Sequence, residues 1–279
     1  YWPLILGTIL IVLLFVFLFI EYRSSHPLLP LRIVLDRNRG GAYLASFFVG
    51  IGMFSMFLFI SYFFQAVLGY SPLTSGLLFL PFSAGVIISA GIASQRLPRF
   101  GPRWVTFGGF VLATSGMALY LRLGSDSTYA ANILPSIVLM SLGMGLIFVP
   151  LSATALFGVG NHDAGVASAV LNTAQQIGGS IGIAFLNTIA ASATTAYIVA
   201  NSLQGPNPDA LVHGFTTAFV WSVGIMIFAG LIWVFLVNMT KKDMAWIARA
   251  ALPLFLLMAL AVALIYLFPG IVTWLPSRM

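Results

Sequence analysis

The chain has 279 residues, 60% of them hydrophobic and 6% charged, with a net charge of +6 and no cysteine. A soluble globular protein carries about 25% charged residues, so this chain lacks the polar surface to coat a water-soluble particle and reads as an integral membrane protein. The absent cysteines exclude disulfides, thiolate metal sites and a cysteine nucleophile, and the basic excess sits in short loops between apolar runs, which speaks for membrane topology and against nucleic acid as a partner.

Roughly 20 helical residues cross a bilayer core about 30 Å thick. On that measure the predicted elements are eight spans: Trp2–Ile20, Gly41–Val67, Leu73–Gln95, Trp104–Leu123, Ala131–Leu156, Gly165–Ser192, Gly214–Asn238 and Ala245–Phe268. Continuous apolar runs of this length do not fit the short alternating segments of transmembrane strands. The predicted class is an all-α polytopic membrane protein. The chain opens at Tyr1 directly into an apolar run, with nothing basic before it and no small-residue cleavage site after it. That is expected of a fragment rather than of a signal peptide.

Charge placement orients the spans. Arg23, Arg32, Arg37 and Arg39 lie between the first two, Arg96, Arg99 and Arg103 between the third and fourth, and Lys241, Lys242 and Arg249 around the start of the eighth. If all eight cross, these fall on one side and hold ten of the twelve basic residues, leaving Arg122 and Arg278 opposite. The excess side is expected to be cytoplasmic. His26-Pro27, Pro30 and the Arg32–Arg39 stretch suggest a short interfacial helix. The segment Tyr197–His213, with Gly205-Pro206-Asn207-Pro208, reads as the one long external loop. Trp2, Trp104, Trp233, Trp246 and Trp274 stand near span ends, as membrane-interface anchors do.

The chemistry is marked by what the spans lack. Glu21, Asp36, Asp126, Asp163, Asp209 and Asp243 all fall at span ends or in loops, and so do His26, His162 and His213. Intramembrane acids are the usual carriers of proton or sodium coupling. No hydrolase triad, phosphate loop or metal cluster can be assembled; the chain is expected to be no enzyme and to hold no cofactor or metal. Asp163 is expected to cap the sixth span, and Gly143-x-Gly145 with Pro150 to permit close packing and a kink in the fifth.

Neutral polar residues remain, arranged on helix faces. In the sixth span Gly165, Ser168, Asn172, Gln175, Gln176, Gly179 and Gly182 fall within an arc of roughly 120° at about 100° per residue. Small residues and amides bind membrane helices together, and Gly178-x-x-x-Gly182 is such a contact pattern. Two adjacent glutamines and an asparagine exceed what packing needs, because each amide must be satisfied in hydrocarbon. Helix packing and lining of a substrate pathway both remain open for this face. The second span carries Tyr43, Ser46, Gly50, Met53, Phe54, Phe57, Ser61 and Gln65 on a similar arc, a mixture suited to an adaptable apolar pocket.

At these residues the chain resembles a known family. "EYRSSHPLLPLRIVLDRNR", "YFFQAVLGYSPLTSGLLFLP", "PRFGPR", "GMGLIFVPL" and "AGVASAVLNTAQQIGGSIGIAFL" follow in the order of the major facilitator superfamily, nearest its fourteen-helix drug:proton antiporter branch, over about residues 1–238. The resemblance implies one central helix with its cytoplasmic linker (1–40) and a carboxy-terminal six-helix bundle (41–238). It also implies a substrate pathway past Phe57, Ser61, Gln65, Ser168, Asn172, Gln175 and Gln176, and a cytoplasmic loop motif of Arg99, Gly101 and Arg103. Pro98 stands where many members carry Asp, which puts a charge-paired gate in doubt. The amino-terminal bundle, the usual seat of the proton-carrying acids, is absent from this sequence. Residues 239–279 form a further terminal helix. "LPLFLL" and "YLFPGIVTWLP" resemble the end of the large membrane subunit of tripartite periplasmic (TRAP) transporters, either as a mosaic or as an ordinary extra helix.

The expected function is therefore half of a multidrug efflux antiporter in a bacterial inner membrane, uncoupled on its own. Its partners would be the lipid bilayer, small amphipathic substrates and the missing amino-terminal bundle. A non-transporting membrane-packing module and an organic-acid permease related to the tail are the alternatives. The second lacks the interior Arg or Lys that acidic substrates want.

Overall fold

The computed structural model describes residues 36–237 except 161 and 206, together with residues 12, 13, 15, 16, 19, 20 and 23, which are helical. Most of the first predicted span, the linker up to residue 35, the eighth span and the tail lie outside the described residues.

Helix α1 runs Arg37–Tyr62 and ends in a π-helical turn, Phe63–Val67. A short α2, Pro72–Leu77, leads into α3, Leu80–Leu119. Another π turn, Tyr129–Ile133, opens α4, Leu134–Leu156. Helices α5, Ala164–Ala200, and α6, Pro208–Leu236, complete the set. Among the described residues five stretches are long and apolar enough to cross a membrane, Arg37–Val67, Pro72–Arg122, Tyr129–Leu156, Ala164–Ala200 and Pro208–Leu236. The described secondary structure is helical throughout, as the sequence implied.

Local chemistry fixes the starts. The Asp36 carboxylate accepts from the backbone N–H of Asn38 (3.1 Å) and Arg39 (3.0 Å), satisfying donors that the first helical turn leaves unpaired. Ser71 does the same for Thr74 (3.2 Å) and Asn207 for Ala210 (2.8 Å), each followed by a proline at the first helical position. Asp163 differs from expectation. It occupies the cap position of α5, but its backbone is already helical and its side chain makes no capping bond, meeting His162 Nδ1 at 3.2 Å instead.

Helix α3 is two spans joined at Gly101. That residue has φ 75° and ψ 163°, a conformation that only glycine adopts readily. Both arms then pack on α4 in opposite senses. In the first arm (80–100), Gly85 faces Ser141 and Ser89 faces Gly145, so this arm runs parallel to α4. In the second arm (102–119), Gly109 faces Ile147 and Gly116 faces Met140, so that arm runs antiparallel. Gly143 and Gly145 thus serve different neighbours from opposite sides of α4, while the helix continues through Pro150.

The same arrangement recurs in the other half. Helix α1 runs parallel to α5, with Phe47 against Gly178 and Ile51 against Gly182. It runs antiparallel to α6, with Gly52 against Met226 and Phe59 on Phe219. Exchanging α1 with α4, the first arm with α5, and the second arm with α6 maps each contact type onto its counterpart. This is the pattern of an inverted repeat of three helices. Helices α1 and α4 sit innermost, and α5 is the least covered.

Two further expectations change. Helix α5 continues to Ala200 and α6 starts at Pro208, so the external loop shrinks to about residues 201–207 and Tyr197 stacks beside His213 at 4.9 Å between ring centres. Trp233 is fully buried and donates from Nε1 to the Arg103 carbonyl at 3.3 Å, so it is an internal tie rather than an interface anchor. Trp104, 60% exposed, keeps the anchor role. Arg37 and Arg39 begin α1 itself, and the rest of the proposed interfacial stretch lies outside the described residues.

Candidate functional site

The polar arc of α5 divides along its length. One edge docks on α1. A Cβ at Gly178 would collide with the Phe47 carbonyl oxygen, one at Gly50 with the Gln175 carbonyl oxygen, and one at Gly179 would sit 2.6 Å from the Phe54 ring. Ser46 Oγ donates to the Leu171 carbonyl at 3.2 Å across the same seam. This is helix packing by small residues.

The other edge is open. Ser168, Asn172 and Gln176 are exposed and Gln175 is half-buried. The side-chain amides of Asn172, Gln175 and Gln176 make no hydrogen bond among the described residues, and the one side-chain bond at these positions is from Ser180 Oγ to the Gln176 backbone carbonyl at 3.0 Å. Two exposed amides and a half-buried third on one stripe of a membrane helix are poorly placed against lipid, where nothing satisfies them. Against water, a solute or a second bundle they are well placed.

The predicted face of α1 is mostly consumed by packing. Phe57 lies in an aromatic cluster, 5.0 Å from Phe79 and 4.9 Å from Phe82, measured between ring centres. Ser61 is half-buried, and Gln65 is exposed within the π turn. Since α1 and α5 run parallel with Gly50 beside Gln175, Gln65 lies about 20 Å further along the axis at about 1.5 Å per residue. The structure therefore does not gather the predicted residues into one pocket. Ser168, Asn172 and Gln176 form one patch, and Ser61 and Gln65 stand apart near the opposite end.

Charges collect at the two ends. Arg37, Arg39, Arg96, Arg99 and Arg103 share one end with Asp36 and Asp163, whereas Arg122 shares the other with Asp126 and Asp209. Arg37 donates to the Phe235 carbonyl at 3.0 Å, placing a cation at the carboxy end of α6 where the helix dipole favours it. Among the described residues Asp209 stands in the first turn of the Pro208–Leu236 span and no acid lies deeper in a span, and no group of three or more potential metal ligands occurs among them. A cavity of about 400 Å³ lies on α6, lined by Val220, Trp221, Gly224, Ile225 and Phe228. It is apolar and touches none of the predicted site residues. Sequence reading missed this groove, although Trp221 sits in mid-helix where an anchor would not.

Residues 1–183 match the pattern that defines the Major Facilitator Superfamily. The chain belongs to the major facilitator superfamily. It is 39% identical over 243 residues to the puromycin resistance protein pur8 of Streptomyces alboniger, covering 85% of this chain and 48% of that protein. The MFS-type transporter EfpA of Mycobacterium tuberculosis is 31% identical, over 77% of this chain and 41% of its own length. The cephamycin export protein CmcT of Amycolatopsis lactamdurans is 31% identical, over 80% and 43%. The chain thus spans about half the length of the curated relatives it matches. Membership of this transporter superfamily agrees with the sequence reading of a membrane transporter and not an enzyme. The TRAP-like tail lies outside both the matched residues and the described ones.

Proposed function

We propose that this chain supplies one wall of an efflux pathway for amphipathic or hydrophobic small molecules in a bacterial cytoplasmic membrane. The observation that carries the reading is the open stripe Ser168, Asn172 and Gln176 beside a packed glycine seam. Major facilitator pathways form between two six-helix halves that rock about a site near the midplane. The described helices make one such half, and an amino-terminal bundle not present in this sequence would be the other. On this reading residues 1–40 are a central helix and linker, 41–238 the bundle, and 239–279 an added terminal helix. The arginine-rich end faces the cytoplasm, in keeping with the positive-inside bias.

Amides suit solutes with a hydrogen-bonding group on an apolar body, and they impose no charge requirement. The names of two relatives, a puromycin resistance protein and a cephamycin export protein, support this class. An organic-acid permease is disfavoured because the arginines within residues 36–237 all lie at the ends of spans. The test is made in a complete transporter carrying this half. Gln176→Ala and Asn172→Ala should change export of bulky apolar dyes several-fold at unchanged protein level. Loss of folded protein with transport per molecule unaltered would assign the stripe to packing.

A further inference from the structure

The hairpin at Gly101 carries more unspent charge than any other part of the described chain. Arg96 and Arg99 converge on one ring, each guanidinium 5.7 Å from the centre of Phe100, and Arg103 lies 5.6 Å from Trp104. None of the three meets a carboxylate among the described residues, whose ion pairs are Arg39 with Asp36 and His162 with Asp163. Pro98 contributes no acid of its own. Arg103 Nε is buried and has no hydrogen-bond partner among the described residues. The rings beside these cations are turned outward: Phe100 is 43% exposed, Trp104 60% and Phe107 38%. Cations above a belt of exposed rings, at the turn between two membrane spans, lie at the depth where headgroups meet acyl chains.

We propose that Arg96, Arg99 and Arg103 hold the phosphate of an anionic phospholipid while Phe100, Trp104 and Phe107 pack on the upper part of its acyl chains. A guanidinium fork matches phosphate geometry, and an exposed Arg stacked on an aromatic ring keeps its N–H groups free to donate. Gly101 makes the site possible. Its left-handed backbone turns the chain within one residue, so Arg99 and Arg103 flank a single bend instead of lying on separate faces of one helix. The assignment stands independently of the efflux reading, because it needs only a chain that spans a bilayer.

The full 279-residue chain in neutral detergent, offered equal amounts of phosphatidylglycerol and phosphatidylcholine, should retain the anionic lipid preferentially in native mass spectrometry. Each basic residue near a membrane surface is worth about 1 kcal/mol toward anionic lipid. Arg96→Gln with Arg99→Gln should therefore lower retention at least tenfold, whereas Arg96→Lys with Arg99→Lys, which keeps the charge without the fork, should fall between that variant and the wild type, and Arg122→Gln should keep all of it. Inorganic phosphate at the same concentration should not displace the lipid, since it brings no chain for the rings. A photoreactive phosphatidylglycerol should mark the wild-type chain within residues 96–107, which decides the matter even if the glutamine variant folds poorly. Equal retention of the two lipids would overturn the proposal. So would full displacement by phosphate, which means a free-anion site, or marking at the Arg122 end.

Discussion

Single glycines carry much of the geometry, and two of them make opposite predictions. Gly101 sits at φ 75° with no side chain near its missing Cβ, so crowding is not what excludes alanine there; the backbone conformation is. Gly101→Ala should cost about 1–3 kcal/mol of stability. Gly91 also has open space around it but lies in regular helix, so Gly91→Ala should be neutral or slightly stabilising. Thermal unfolding of the two purified variants in one detergent compares them directly; equal melting temperatures would count against the strained hairpin. Pattern alone could not reveal this. "PRFGPR" shows a breaker-rich turn, but not that Gly101 reverses the chain within one residue, which depends on ψ and on α4 receiving both arms.

Between helices, the α1–α5 seam should respond to bulk on one face only. Gly178→Leu drives a branched side chain into the Phe47 backbone and should separate the pair, with loss of folded protein, whereas Ile177→Leu on the exposed face should be tolerated. Recovery of correctly folded material from the two variants is the measurement. Topology can be tested at the same scale because the chain has no cysteine. A cysteine at His162 should label from the cytoplasm and one at Gln204 from outside; the reverse pattern would invert the proposed orientation. Within residues 36–237 span positions were legible in the sequence because apolar runs bounded by charge admit few alternatives. Helix ends were not. The loop after α5 was read too long because its Ser, Thr and Gly residues look like a turn, although Asn207-Pro208 carries the cap-and-proline signal for a start at Pro208. The amide stripe was legible by its angular spacing. Its division into a packed edge and an open edge was not, because only the position of α1 decides which edge is covered.

For the molecule as a whole, the distribution of acids sets a limit. Proton-driven exchange needs a group that takes up and releases protons as the site alternates, and among the described residues Asp209 and His213 fall only in the first two turns of the Pro208–Leu236 span, with no carboxylate or histidine deeper in any span. Reconstituted into liposomes with an imposed pH gradient, the chain alone should move no dye in response to the gradient. Co-expression with an amino-terminal bundle should restore movement. PH-driven transport by the purified chain would contradict this, and Asp163, at the cytoplasmic mouth in the proposed orientation, would then be the first residue to substitute.

The open amides of α5 also bear on how long such a chain survives in a cell. Asn172 and Gln176 facing lipid would each add about 1–3 kcal/mol of unmet polarity. A membrane protease that samples poorly seated helices would find α5 more readily extracted than its neighbours, since it is also the least covered by the bundle. In the proposed assembly the stripe would report on docking: covered when a second half is seated, and a degradation signal when it is not. Pulse-chase decay should slow when Asn172 and Gln176 are both replaced by Leu, even though those replacements would spoil any pathway they line.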